Sequence, residues 1–253
     1  MVGEVLTHAF TRAGEALQIW RRNWIAQRLV RRLSQAETLA EKVALTAGRS
    51  KFKSNQKSCE IVGLLTEVRR LRPRLLCEIG SDRGGTLALL SQVAADDALI
   101  VSIDPIHQNR KTVPYESLVR ADQRLIRIGG DSHSHLVLQE LQAALGGRPL
   151  DFLFIDGDHS YEGVKQDFET YAPLVRKEGL IAFHDIVPVQ SGCSQAYVGG
   201  VPDFFAQEVE QVYQTRVWIE NASQDGYGIG MLLWPGEPTV RRPATNLRGT
   251  TAA

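Results

Sequence analysis

Cysteine is scarce in this chain of 253 residues: only Cys59, Cys77 and Cys193 are present, and no two form a CxxC pair. So sparse and odd a count excludes a disulfide-stapled secreted scaffold and fits free thiols in a reducing, cytoplasmic setting. No apolar run reaches the roughly 18 residues of a transmembrane helix. The opening MVGEVLTHAF lacks a basic start followed by an apolar core, so a secretory leader is not expected. Glycine (22) and proline (10) are at ordinary levels, which excludes collagen-like and low-complexity chains. Net charge is absent too, and no internal repeat is found.

What is present is ordinary globular material, 43% hydrophobic and 23% charged, enough for one large α/β domain. The charge is unevenly spread. Residues 1–74 hold 15 basic against 6 acidic residues, and the remainder holds 14 against 23. The most basic part is QIWRRNWIAQRLVRRL (18–33), where Leu17, Trp20, Trp24 and Leu33 recur at helical spacing among Arg21, Arg22, Arg28, Arg31 and Arg32. The reading is an amphipathic helix packed on its own domain or on a second subunit, which makes a homo-oligomer the expectation. A helix resting on an anionic membrane is the sharper alternative. Nucleic acid is not an expected partner, because no basic stripe follows later. A second helix is expected over 35–47, from a Ser34/Glu37 capping box, and a third over 59–71, after a polar loop at 49–58 and before Pro73. Residues 1–73 thus read as a helical extension serving as lid or oligomer arm, 74–235 as the main domain, and 236–253 as a flexible tail.

After Pro73 the pattern alternates. Strands are expected at 75–80, 98–104, 124–132, 151–158 and 179–185, and helices at 85–94, 135–145 and 161–175. An antiparallel pair, 212–220 and 227–234, closes the order. The apolar runs barely alternate, as in strands buried on both faces. Strand–helix alternation then predicts an α/β fold with a doubly wound, mostly parallel seven-stranded sheet.

In such sheets ligands bind beyond the carboxyl ends of the strands. The first ends in Glu78-Ile79-Gly80-Ser81-Asp82-Arg83-Gly84-Gly85-Thr86. Gly80 and Gly85 fit the outer positions of a dinucleotide fingerprint, but Asp82 stands where the middle glycine belongs. A carboxylate there repels a pyrophosphate, so a cationic or zwitterionic ligand suits the turn better. The second strand ends at Asp104, placed to accept two ribose hydroxyls. The third ends in Gly130-Asp131-Ser132, which either reads an adenine edge or caps the next helix. The fourth ends in Asp156-Gly157-Asp158-His159-Ser160-Tyr161, the densest set of titratable groups in the chain; there Ser160, or Asp158, can equally cap a helix. The fifth ends in His184-Asp185, so Asp156, His184 and Asp185 can converge on a cation. Oxygen ligands suit a hard cation, and an imidazole suits a softer one.

ExGSxxGGT (78–86), SIDP (102–105), GDS (130–132), FIDGDHSYEG (154–163) and GLIAFHD (179–185) together resemble the class I S-adenosylmethionine-dependent methyltransferases. The resemblance runs from about Arg74 to Trp234. It is closest to the O-methyltransferases of sugars and natural products, a group that includes cephalosporin-hydroxylase-like proteins. It implies a Rossmann-like methyltransferase fold and S-adenosyl-L-methionine as cofactor. Glu78, Gly80, Ser81, Gly84 and Thr86 would lie at its methionine end, Asp104 at the ribose, and Asp131 and Ser132 at the adenine. Asp156 would lie near the cofactor's amino group and, in metal-dependent members, on Mg2+. There, two acidic or amide residues after the fifth strand complete the metal site. Here the pair is His184-Asp185, and the imidazole disfavours Mg2+. A residue three positions after the metal-binding Asp is a general base in such members, which implies His159. The Asn/Asp-Pro-Pro-aromatic motif of methyltransferases acting on planar nitrogen is absent after the fourth strand.

The resulting expectation is methyl transfer to a hydroxyl of a small metabolite or sugar, with His159 as base and Mg2+ as a candidate cation. The alternatives are a non-catalytic cofactor-binding module recruited through the basic helices, and a metal-free N- or carboxyl-methyltransferase. Residues 187–210, with Tyr197 and Phe205, are expected on the acceptor side. The long connection at 105–122, with His107 and Tyr115, is expected as a lid or a surface helix.

Overall fold

The computed structural model describes residues 2–47, 50–105, 114–189 and 200–238. His107, Cys193, Tyr197 and the tail past Pro238 lie outside them. The chain opens with three helices, α1 (Val2–Gln35), α2 (Leu39–Thr46) and α3 (Ser58–Leu71). It then alternates through β1 (Leu75–Ile79), α4 (Gly85–Val93), β2 (Leu99–Ile103), β3 (Arg124–Ile128), α5 (His135–Leu145), β4 (Leu150–Ile155), α6 (Tyr161–Tyr171) and β5 (Val175–His184). A short α7 (Gly200–Phe204), continued by a π turn over Phe205–Val209, leads to β6 (Thr215–Trp218) and β7 (Ile229–Leu233).

The seven strands form one sheet in the order β3-β2-β1-β4-β5-β7-β6. Strands β1 to β5 pair in parallel, while β7 pairs antiparallel with both β5 and β6. The strand order reverses between β1 and β4, the switch point where ligands bind in doubly wound sheets. Side chains alternate across the sheet. Leu76, Ile100, Phe152 and Phe154 join α1–α4 in one core, and Cys77, Val101, Leu153 and Ile155 join α5–α7 in the other. The first helices are therefore one layer of the main domain. Leu33, Val43, Ile61, Leu64 and Leu65 share their core with Leu76 and Leu87.

Two N-terminal boundaries differ from expectation. The helix with Trp20 runs on to Gln35, and α2 starts after Thr38, four residues past the expected Ser34 cap. Thr38 and Glu41 form the capping box instead. Both sites match the S/T-x-x-E pattern, and the stretch up to Gln35 stays helical because Leu29 and Leu33 bury there. Leu17, Trp20 and Trp24 do not share a face with Leu33: they are exposed while Leu33 is buried. Tyr115 lies in a short 3-10 turn, Tyr115–Leu118, with Tyr115 and Leu118 both fully buried, so neither belongs to a surface helix.

Candidate active site

Backbone hydrogen bonds carry the ladder just past the strands. Gly80 N–H donates to Ile103 O and Asp156 N–H to Ile79 O, both at 2.9 Å. This sets Gly80 and Asp156 side by side at the switch point. Gly80 has φ +86°, and a Cβ there would meet Asp156 O at 1.9 Å, so no other residue fits. The turn is tied further by Asp82 N–H, which donates to the Asp104 carboxylate at 2.8 Å, and by the Tyr115 hydroxyl on Asp82 O.

A cleft of about 460 Å³ opens above these ends. Gly80, Asp82, Asp104, Asp131, Ser132 and Asp156 line it, with His133 and Asp158 beside them. The turn at 131–133 is held from α6: Tyr171 OH donates to Ser132 O at 2.6 Å, and His133 Nε2 lies 3.1 Å from Gly163 O. Asp167, fully buried, stands 3.4 Å behind His133. Burial raises its pKa to about 6, against the lowering effects of Ser132 and His133. The N-cap of α5 is Ser134, so neither Asp131 nor Ser132 is needed there. Ser160 does cap α6, and Asp158 accepts from Ser160 N–H at 2.8 Å.

The other residues of the first turn point to protein. Ser81 donates to Glu78 at 2.7 Å and lies 2.6 Å from Ser102. Thr86 donates to Gln56 at 2.8 Å, and a Cβ on Gly84 would meet Leu118. Glu78 is fully buried with Oε1 unpaired. Burial raises its pKa to about 8 although the Ser81 hydrogen bond opposes, and Asp156 and Asp104 add to the rise. The side chains of Glu78, Ser81 and Thr86 thus brace the turn from behind.

A second cleft, of about 630 Å³, shares Gly80, Asp82 and Asp156 with the first and continues to His159, His184, Asp185 and Tyr227. Here the three strand-end groups converge. His184 Nδ1 lies 3.1 Å from Asp156 Oδ1 and 3.3 Å from Asp185 Oδ1. The second carboxylate oxygens are held from outside: Gln56 Nε2 donates to Asp156 Oδ2 at 2.9 Å, and His159 Nδ1 lies 2.8 Å from Asp185 Oδ2. Asp185 takes φ +60°, a left-handed conformation that costs about 1–2 kcal/mol and is retained where surroundings enforce it. The hydrogen bond to Asp185 raises the His159 pKa, opposed by partial burial. Burial pulls His184 down, but Asp156 and Asp185 prevail and raise it to about 10. Burial pushes Asp185 up, but the His159 and His184 bonds prevail and lower it.

Gln56 and His133 escape a reading of the sequence. Gln56 sits in the polar loop before α3, 100 residues from the carboxylate it holds. No local pattern signals that approach. The loop is wedged tightly, since a Cβ on Gly85 would meet Lys53 and Ser54 backbone at 2.3 Å. Extending the GDS motif by one residue would have reached His133.

Residues 77–186 match a family model described as a methyltransferase domain. Over those residues the chain is similar to a methyltransferase domain. An uncharacterized protein of Acanthamoeba polyphaga mimivirus is 34% identical over 115 residues, 43% of this chain and 49% of that protein. The match spans about half the length of that relative. Among solved structures, the O-methyltransferase TomG of Streptomyces achromogenes, in complex with SAM, is 17% identical, with TM-score 0.51 over 71% of this chain and 81% of that one. The O-methyltransferase of Bacillus cereus, in complex with SAH, is 18% identical, with TM-score 0.51 over 83% and 90%. Both share the fold of this chain.

Proposed function

We propose that this chain is a methyltransferase that moves a methyl group from S-adenosylmethionine to a hydroxyl of a small metabolite or sugar. The observation that carries the reading is the continuity of the two clefts. Gly80, Asp82 and Asp156 line both, so a cofactor over the first turn and an acceptor beside His159 would meet there. Asp82 and Asp156 would offer negative charge to a sulfonium and an ammonium, and Asp104, which lines the same cleft, would accept from a ribose. Transfer is a direct displacement: an acceptor oxygen bonds to the methyl carbon as its bond to sulfur breaks. Holding both partners in line supplies several kcal/mol.

His159 is the candidate base. Asp185 orients its imidazole through Nδ1, and a base there would take the hydroxyl proton, a contribution of roughly 10²–10⁴-fold. Asp156, His184 and Asp185 each offer one ligand atom within 4.8 Å of the others, a candidate donor set for a divalent cation that would displace the proton on His184. The outer hydrogen bonds from Gln56 and His159 orient both carboxylates, as supporting groups do around metals. An imidazole in the set fits Mn2+ or Zn2+ better than Mg2+. A cation held there would lower an acceptor hydroxyl's pKa.

The test is calorimetric titration of S-adenosylhomocysteine into the wild type and Asp104→Ala, followed by methyl transfer to hydroxylated acceptors. Binding weakened at least tenfold in the variant is expected. No binding by the wild type would end the cofactor assignment.

A further inference from the structure

We propose that the outward face of α1 docks on an anionic lipid surface. Helix α1 has two faces. Ala26, Leu29 and Leu33 pack into the core, and Asn23 accepts from the Ser117 hydroxyl at 3.1 Å. On the opposite side, at spacings of three and four residues, Leu17, Trp20 and Trp24 stand 64%, 64% and 50% exposed. Two tryptophans on one open helix face are unusual, because each leaves a large apolar ring in water. Arg21, Arg28 and Arg31 project with them, and the Arg28 guanidinium lies 5.4 Å from the Trp24 ring.

The charge pattern selects the occupant. From Ala16 to Ala36 there are five arginines and no acidic residue. A second copy pairing through this face would set arginines against arginines with no carboxylate in the stretch to relieve them. An anionic headgroup layer complements them. Indoles favour the acyl–headgroup boundary, and arginines lay their stems along apolar surface with the charge kept at the headgroups. The helix would lie on the layer, since no helix among the described residues is long and apolar enough to cross it. The inference is independent of the methyl-transfer reading.

Flotation of the full chain with phosphatidylcholine vesicles, with and without phosphatidylglycerol, tests it. Binding is expected only with phosphatidylglycerol, and rising salt is expected to weaken it. An Arg21→Gln, Arg28→Gln, Arg31→Gln variant is expected to bind roughly a hundredfold more weakly. A Trp20→Ala, Trp24→Ala variant is expected to lose at least tenfold, with unchanged circular dichroism because both rings are exposed. Equal binding to both vesicle types, or binding to neither, overturns the proposal. So does a dimer in light scattering that the tryptophan variant converts to monomer.

Discussion

His159 and Glu78 show how position decides what a titratable group does. His159 is partly exposed, faces the larger cleft and is oriented by Asp185. Its replacement, His159→Gln, is expected to lower kcat by roughly 10²–10⁴ while leaving S-adenosylhomocysteine affinity within a factor of a few. Turnover retained in that variant would move the base elsewhere. Glu78 is fully buried, and its pKa rises from 4.5 to about 8. The folded state therefore holds that proton more tightly than the unfolded state does. Below pH 4.5 both states are protonated and ionisation costs the fold nothing. As pH rises towards 8 the unfolded state alone ionises, and the fold loses on the order of 5 kcal/mol at most. Glu78→Gln removes this loss, so its melting temperature relative to wild type is expected to climb between pH 5 and 9. Parallel melting curves across that range would show that Glu78 ionises freely in the fold.

At the scale of elements, turn geometry explains both what the sequence revealed and what it hid. The glycine turn after β1 was legible because Gly80 needs a positive φ and a bare Cα against Asp156 O, and glycine alone meets both demands. Gly80→Ala is therefore expected to abolish S-adenosylhomocysteine binding in calorimetry. A variant that binds with near-native affinity would mean that β1 and β4 can separate at the switch point. The carboxylates at the ends of β2 and β4 and the His184-Asp185 pair were legible for a related reason, since polar residues right after buried strands must face a cleft. The N-terminal capping box was harder to place. Ser34/Glu37 and Thr38/Glu41 have the same spacing, and burial of Leu33 in the core decides between them. Gln56 was hidden because its importance comes wholly from tertiary packing: the loop carrying it lies against Gly85 and reaches Asp156 and Thr86.

For the whole molecule, the alternating strand–helix pattern was enough to indicate the doubly wound sheet, yet it suggested that residues 1–73 were an addition to it. The packing makes them a wall of the domain. Leu76, Ile100, Phe152, Phe154 and Ala182 project from one face of the sheet into a core completed by Leu33, Val43, Ile61, Leu64 and Leu65. No sequence pattern reveals this, because an amphipathic helix shows that a face is buried without showing against what. The same segment supplies Gln56, so sheet cover and site come from one piece of chain. A chain starting at Arg74 would expose that sheet face to water, and at about 1.5–3 kcal/mol for each of Leu76, Ile100, Phe152 and Phe154 the loss is about 6–12 kcal/mol, comparable to the whole 5–15 kcal/mol that holds a typical domain. Such a chain is expected to lose its cooperative thermal transition and to bind a hydrophobic dye, with no S-adenosylhomocysteine binding. If it melted cooperatively and still bound the cofactor product, residues 74–235 would be a self-sufficient domain and the N-terminal helices an accessory.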